Sequence, residues 1–266
     1  MPSKITTSRS PGGRLLTIEW RDDATLPGPY LEGIAQHGGS HGYVVVSEER
    51  TPDEAVRRQN GSVRLRVSLL LQPATPPARG TFFSVMSALA LVRTIRRHSP
   101  YEPRIRWVSD VLVGKHTIAE ATTRAALRQT GSFQYVIVNL SLLINESFVG
   151  NLTDIVRSVF QSHRETLSER IAETLITEFF SLYESTAGGD MSAILAEYRE
   201  LSLLLGKRIR ILQDGKHLSA TVTGIDDDAH LVVSLRHGKS LSLFSASELY
   251  DPHRAKQAIR AEKAKK

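Results

Sequence analysis

The stretch from Ser62 to Leu71 constrains the fold of this chain more than any other. Apolar side chains alternate there with Arg64, Arg66 and Ser68, and the stretch then becomes wholly apolar. A period of two is the pattern of a β-strand that buries one of its faces. The stretch therefore predicts a half-buried strand that enters a core, and with it a sheet.

Further elements follow from similar patterns. Apolar and β-branched runs predict strands at 15–20, 43–46, 104–113 and 134–145. Apolar residues at helical spacing predict helices at 81–97, within 152–183 and at 191–205. The stretch 21–42 is interrupted by glycines and prolines, and local propensity in 117–127 suits a strand and a helix equally. The body is therefore predicted to be an α/β (α+β) fold with helices packed on a mixed sheet.

Beyond residue 205 the pattern changes to short strands at regular spacing. Alternating runs at 207–212, 217–222 and 231–235 are separated by turns, one of which contains Asp214-Gly215. Asp-Gly between two such runs is a strong hairpin signal. The region 205–251 is therefore predicted to be a small β-barrel.

These patterns divide the chain into five parts. The start is rich in Ser, Thr, Pro and Gly, and it is expected to be disordered because it has little to bury. The parts are a disordered N-terminus 1–13, a main α/β domain 14–187, a connecting helix 188–204, the barrel 205–251 and a basic tail 252–266.

Composition and charge narrow the functional classes. The chain has no cysteine, which excludes disulfides, thiolate nucleophiles and cysteine metal sites. It has no run of about 18 apolar residues and no apolar leader, so we expect a cytoplasmic protein without a membrane partner. Of the formal net charge of +6, residues 252–266 contribute +5, from six Lys or Arg and one Glu. Binding of RNA or anionic lipid through this tail is a weaker interpretation of the protein's function, because runs of charged residues usually face solvent.

One segment carries a family resemblance. Arg106-Trp107-Val108-Ser109-Asp110 is followed by a short hairpin and then by Thr117-Ile118-Ala119-Glu120. The segment resembles the Lys-Trp-Pro-Asn-Asp stretch and the Lys-(Leu or Ile)-Ala-Gly strand of biotin protein ligases. Four positions match: Trp107, Asp110, Ile118 and Ala119. Arg106 stands at the first lysine of the pattern, Val108-Ser109 at its Pro-Asn, Thr117 at its second lysine and Glu120 at its last glycine.

The resemblance covers roughly residues 14 to 251. The other segments that look like family motifs are Gly61 to Ser68, Thr81 to Arg97, Val136 to Asn145, Leu205 to Ile209 and Gly224 to Asp226. The resemblance implies a mixed sheet with packed helices, as in biotin and lipoate ligases, followed by a small SH3-like β-barrel. It also implies that 117–127 is a strand.

The resemblance further implies an activity. Biotin protein ligases attach biotin to a lysine of a biotin carrier domain through biotinyl-AMP, using ATP and Mg²⁺. The expected partner is therefore a biotin carrier domain protein, and a homodimer stays open. At most 13 residues precede the body, so we expect no DNA-binding domain of the kind found in ligases that act as repressors, and no DNA partner.

Candidate site residues follow from the same resemblance. Lys115 and Arg106 are the catalytic candidates, because a strand that starts early places Lys115 on the face of the missing lysine. The alternative for Lys115 is a hairpin lysine in the turn Gly114-Lys115-His116. The candidates for binding ATP and biotin are Arg57, Arg58, Trp107, Asp110 and Asn145. No metal ligands are predicted.

Arg57 and Arg58 lie in the region that matches the Gly-Arg-Gly-Arg-x-Gly-Arg loop of the family. An arginine pair suits phosphate, and the alternative is a pair of surface arginines beside Glu54. Two functional hypotheses result. The first is an ATP-dependent biotin protein ligase with a diverged site, and the second is a ligase-like binding or regulatory module that has lost adenylation.

Overall fold

The computed structural model describes residues 4–21, 27–50, 63–144, 164–186, 189–213, 215–236, 238–245 and 248–249. Within these residues a large sheet consists of β1 (Lys4–Arg9), β2 (Leu15–Arg21), β3 (Tyr43–Arg50), β4 (Val63–Leu71), β5 (Arg104–Arg106), β6 (Asp110–Val113), β7 (His116–Leu127) and β8 (Phe133–Ile144). A small sheet consists of β9 (Arg208–Gln213), β10 (Lys216–Ile225), β11 (Leu231–Leu235) and β12 (Ser240–Leu243). The helices are α1 (Pro27–Gln36), α2 (Thr81–His98), α3 (Arg164–Ser185) and α4 (Ser192–Leu201), with a 3-10 turn at Pro77–Arg79.

The large sheet is mixed, with the strand order β1-β2-β3-β4-β8-β7-β6-β5. β2 and β3 run parallel, whereas the other neighbouring pairs are antiparallel. α1 connects the parallel pair, which needs a crossover because the chain must return to the same end of the sheet. β4 lies between β3 and β8, in the interior of the sheet, as its alternating sequence predicts.

Most predicted elements are confirmed. The strands predicted at 15–20, 43–46 and 134–145 correspond to β2, β3 and β8, and the strand at 117–127 is β7. The strand predicted at 104–113 is instead two strands, β5 and β6. The helix predicted at 81–97 is α2, and α3 lies within and just beyond the stretch predicted at 152–183. In the part of the chain that the structure describes, no helix is both long and apolar enough to cross a membrane.

Helix α1 lies in the stretch 21–42, where glycines and prolines suggest no regular element. Its two prolines, Pro27 and Pro29, stand in the first turn, where a missing N–H costs no hydrogen bond within the helix. Leu31 and Ala35 are buried against the sheet. Helical spacing of a few apolar residues therefore outweighs the helix-breaking residues, because those residues are at the end of the helix.

The two faces of the large sheet are covered to different extents. α2 and α3 pack together on one face and form the main core with the apolar side chains of β4, β7 and β8. α1 packs on the opposite face and forms a smaller cluster with residues of β3, β4 and β8. Among the described residues, a layer of two long helices therefore packs on one face, and one short helix covers part of the other.

The prediction of a disordered N-terminus is wrong for Lys4–Arg9, which form β1. This strand pairs antiparallel with β2, although most of its side chains are exposed. Its turn is held by Glu184 of α3, which accepts hydrogen bonds from the Ser10 hydroxyl and the Gly12 N–H. A low content of apolar residues indicates disorder only when the backbone has no hydrogen-bond partner. Here the edge of β2 supplies hydrogen-bond partners for the backbone of β1.

The C-terminal region forms an antiparallel sheet with the order β12-β11-β10-β9. The predicted hairpin at Asp214-Gly215 is confirmed, because Gln213 pairs with Lys216 and Gly215 has a φ of +73°. An isolated bridge joins Ile211 of β9 to Leu249. The described residues do not confirm a closed SH3-like barrel; they show a small four-stranded sheet.

Three hydrogen bonds join the small sheet, α4 and the segment between β5 and β6 to one another. Trp107 is 2% exposed, and its indole Nε1 donates to the carbonyl oxygen of Ala229 over 3.0 Å. Tyr198 of α4 donates from its hydroxyl to the carbonyl oxygen of Val108 over 2.7 Å. Arg199 donates through Nε to the carbonyl oxygen of Ile225 over 2.9 Å. The small sheet is therefore fixed directly to the segment that resembles the ligase signature.

We expect the substitution Trp107→Phe to lower the free energy of unfolding by about 2 kcal/mol, because it leaves the buried carbonyl of Ala229 unpaired. Urea unfolding followed by circular dichroism measures this change. Trp20→Phe is the matched control, since Trp20 is only partly buried. An equal loss in both variants would contradict the assigned role of the Trp107 hydrogen bond.

His41 connects the start of β3 to the end of β4. Its Nδ1 accepts a hydrogen bond from the backbone N–H of Gln72 over 2.9 Å, and its ring lies beside Phe180 and Tyr183. Its Nε2 is buried without a hydrogen-bond partner among the described residues. Burial, and secondly the charge of Arg14, lowers the pKa of His41 to about 4. His41 is therefore neutral at pH 7.

The lowered pKa of His41 predicts a loss of stability in acid. The unfolded chain takes up a proton near pH 6.5 and the folded chain only near pH 4, so the free energy of unfolding falls as the pH drops between these values. We expect His41→Asn, which keeps an acceptor for the Gln72 N–H, to reduce that fall by about 1 kcal/mol between pH 7 and 5. This is less than the full pKa shift implies, because the ring is partly exposed and solvent screens its charge. Urea unfolding at both pH values measures it. An unchanged fall in the variant would contradict the assignment.

Candidate functional site

Among the described residues, α1 covers only part of the face of the large sheet on which it packs. α1 packs on Val45, Leu70 and Ile137, which lie on one face of β3, β4 and β8. Side chains alternate along a strand, so every second residue from these positions lies on the same face. Beyond α1 these residues are polar, apart from Leu143, which pairs with Arg64. This polar face consists of Ser47, Glu49, Arg64, Arg66, Ser68, Glu120, Thr122, Asn139 and Ser141.

Two arginines from the interior strand β4 dominate the polar face. Arg64 donates through Nη1 to the hydroxyl of Ser141 over 2.9 Å, and the same nitrogen lies 3.9 Å from Oε1 of Glu120. Arg66 donates through Nε to Oε2 of Glu49 over 3.0 Å. Each guanidinium is thus paired with a carboxylate from a neighbouring or next-neighbouring strand. The four side chains carry no net charge together.

The start of α1 lies at the border of the polar face. Ser68 donates through its hydroxyl to Oδ1 of Asn139 over 2.7 Å. A Cβ on Gly28 would lie 2.4 Å from the same Oδ1, so only glycine lets α1 approach this closely. The positive end of the helix dipole therefore lies beside the polar face, where it favours negative charge.

A buried carboxylate fixes the position of α1. Glu19 of β2 is 3% exposed and accepts hydrogen bonds from the hydroxyl of Tyr43 over 2.8 Å and from that of Tyr30 over 3.2 Å. Arg21 donates to Glu19 over 3.0 Å, and its guanidinium stacks over the ring of Tyr30. Burial, and secondly the charge of Glu19, raises the pKa of Tyr30, and burial and the hydrogen bond to Glu19 raise that of Tyr43. Both phenols therefore stay protonated and donate.

The signature-like segment forms the edge of the site next to β7. Arg106 donates to Oδ2 of Asp110 through Nη2 over 2.7 Å and through Nε over 3.1 Å, and Asp110 is buried. Ser109 donates from its hydroxyl to the carbonyl oxygen of Ala121 over 2.7 Å. The ion pair of Arg106 and Asp110 thus closes the turn between β5 and β6, and the hydrogen bond of Ser109 holds that turn against β7.

A cavity of about 400 Å³ adjoins the polar face at Glu120. It lies along the edge of β7 that β6 leaves uncovered, between the start of α2 and the end of β12. Its walls come from Gly80, Thr81 and Ser84, from Val108 to Asp110, from Glu120 to Thr123, and from Phe244 and Ser245. This volume is within the usual range for small-molecule pockets. Asp110 and Glu120 give the cavity two carboxylates.

The predicted site residues occupy different places. Arg106, Trp107 and Asp110 lie together in the signature-like segment, with the Trp107 side chain buried against the small sheet. Lys115 is exposed in the turn between β6 and β7, because β7 begins only at His116. It is not among the residues that line the cavity. Three further candidates, Arg57, Arg58 and Asn145, lie outside the described residues.

Sequence reasoning missed Arg64 and Arg66 as site residues. Their alternation with apolar residues suggests simply the solvent side of a half-buried strand. The overlooked signal is that the same strand becomes wholly apolar, which indicates an interior strand with neighbours on both sides. Arginines there have strands within reach on both sides, and they find partners in Ser141 and Glu49 on the adjacent strands and in Glu120 one strand further.

Comparison with known proteins gives a clear result for the fold. No protein-family model matches the chain, and the search of curated proteins gave no match. Among solved structures, a biotin protein ligase-like protein of unknown function from Silicibacter sp. TM1040 is similar with a TM-score of 0.67 and 15% identity. The similarity covers 90% of this chain and 96% of that one.

Biotin protein ligases themselves are also similar. The ligase from Aquifex aeolicus has a TM-score of 0.64 at 12% identity, over 88% of this chain and 96% of that one. The same ligase in complex with biotin and ATP has a TM-score of 0.62 at 12% identity, over 88% and 97%. The chain therefore has the fold of biotin protein ligases over nearly its whole length, as the signature-like segment predicts.

Proposed function

We propose that this protein is an ATP-dependent ligase that activates a carboxylic acid, biotin in the first instance, on the polar face and transfers it to a carrier-domain lysine. The observation that carries the proposal is the arginine pair Arg64 and Arg66 on the open face of a biotin-protein-ligase fold. The reaction brings a carboxylate and a triphosphate together, so it needs cations aimed at the charge that develops on the α-phosphate. The arginine pair supplies such cations.

The remaining candidates fit around this pair by chain connectivity. Arg57 and Arg58 belong to the segment that connects β3, which carries Glu49, to β4, which carries Arg64. Asn145 directly follows β8. In the proposal these residues add donors to the site, and Arg106 acts through its ion pair with Asp110.

The proposed cofactors are ATP and Mg²⁺, with biotin as the acid. Mg²⁺ is usually held by one or two carboxylates together with substrate phosphates. Asp110 and Glu120 are the carboxylates beside the cavity, and each is already paired with an arginine. The residues thus fit a metal that arrives with the triphosphate rather than one held by the protein alone. The proposed partner is a carrier domain whose lysine enters from the cavity.

A second candidate function is a ligase-like module that binds without catalysis. Two observations favour it. Glu120 places a side chain where the family pattern has a glycine, and Lys115 is exposed in a turn instead of facing the polar face. The second function retains ligand or carrier binding and lacks transfer.

Binding of a stable biotinyl-AMP analogue tests the site. We expect the full chain to bind the analogue in isothermal titration, and Arg64→Gln to weaken binding by about tenfold or more, since hydrogen bonds to charged groups are strong. Arg124→Gln is the matched control, because Arg124 is on the same face but pairs with Glu32 of α1. We expect Lys115→Ala to change the affinity less than about twofold, whereas a surrogate catalytic lysine that stabilises charge would cost about 10²- to 10³-fold in rate.

Transfer to a carrier domain separates the two functions. The full chain is incubated with biotin, Mg·ATP and a biotin carrier domain, and the mass of the carrier is measured. An added biotinyl group supports the ligase. Analogue binding without transfer favours the non-catalytic module, and absence of analogue binding overturns the use of the polar face in both.

A further inference from the structure

We propose that Glu120 and Glu49 are built-in competitors for the anionic ligand of the polar face, so that a carboxylate or phosphate binds there only by displacing them. The inference rests on the proposed use of this face as the ligand site. Arg64 and Arg66 bind the anion, and Glu120 and Glu49 compete with it for the two guanidinium groups. Arg64 and Arg66 are two positions apart on one strand, so their side chains start roughly 7 Å apart on the same face.

The two kinds of side chain differ in how firmly they are held. The arginine side chains are 30% and 28% exposed, whereas those of Glu120 and Glu49 are 51% and 46% exposed. Arg64 is also anchored by its hydrogen bond to the buried Ser141. The carboxylates can therefore turn into solvent while the guanidinium groups stay in place.

The two ion pairs differ in strength. Arg66 donates to Oε2 of Glu49 through both Nε and Nη2, whereas the pair between Arg64 and Glu120 is looser and is the easier one to displace. The distance of 3.9 Å between Arg64 and Glu120 is that of an ion pair, and among the described residues only Ser141 accepts a hydrogen bond from Arg64. Exposed ion pairs of this kind contribute little, because solvent screens the charges and both side chains lose freedom. A ligand that offers two oxygens to the planar guanidinium makes a stronger, bidentate contact.

The surroundings favour an anion once the carboxylates have moved. Ser47, Ser68 and Ser141 are buried on the same face as the arginines, and the start of α1 lies at the border. With the carboxylates in place the four charges cancel, so the face does not attract anions over a distance. Each displaced carboxylate exposes one positive charge to the ligand. The ligand class is therefore a compact anion, either a carboxylic acid or a phosphate monoester.

Removing the masking charge tests the inference. We expect Glu120→Gln and Glu49→Gln each to tighten the binding of AMP by about threefold to fivefold, and the double variant by about tenfold or more, in isothermal titration at low salt. The control is Glu32→Gln, which removes a carboxylate 3.5 Å from Arg124 on the same face and leaves AMP affinity within about twofold. Biotin titrated in parallel shows whether the gain extends to a carboxylate or is confined to phosphate.

The outcomes separate this inference from the proposed function. Tighter AMP or biotin binding in the Gln variants, lost again when Arg64→Gln is added to Glu120→Gln, supports masking whether or not the protein transfers biotin. Unchanged or weaker binding in both Gln variants, with thermal unfolding like that of the unmodified protein, overturns it even if transfer occurs. Absence of AMP and biotin binding in the double variant also overturns it.

Discussion

Strand β4 buries one face under the α2 and α3 layer and presents the other first to α1 and then to the open polar face. The apolar side chains Val63, Leu65 and Val67 are at most 2% exposed, and they fix the register of β4 against the helices. A slip of one residue would turn the arginines into the core, which makes the register strongly specified. The position of the proposed ligand site is therefore a consequence of core packing on the opposite side of the same strand.

The open area on this face exists because α1 is short and firmly placed. Ten residues of helix cover the apolar half of the face, and the buried Glu19 holds Tyr30 of α1 and Tyr43 of β3 together. The close approach at Gly28 then brings the first turn of α1 against Asn139. Closing one half of the face and leaving the other open thus depends on a single carboxylate and a single glycine.

Much of the fold could be predicted from the sequence, whereas the site could not. The apolar residues of β4, β8 and α2 recur with a clear period. That period reflects burial of one face of a single element, so a short stretch of sequence is enough to predict it. α1 was missed because its signal is two buried residues among prolines and glycines, and β1 because its stability comes from backbone pairing with β2. The partners of Arg64 are Ser141 and Glu120, which are distant along the chain and meet only through the strand order β4-β8-β7. No local pattern contains that information.

The signature-like segment shows why a family pattern can predict a fold better than a reaction. Its matching positions have structural roles here: Trp107 joins the small sheet, Asp110 pairs with Arg106, and Ala119 is 1% exposed in the core. Its departing positions Thr117 and Glu120 are exposed on β7. Packing constrains the matching positions whatever reaction the protein catalyses. The exposed positions Thr117 and Glu120 can change with the ligand without disturbing the core. Among these departing positions, Glu120 lies 3.9 Å from Arg64 on the polar face, so it is the departure from the pattern that bears most directly on the proposed function.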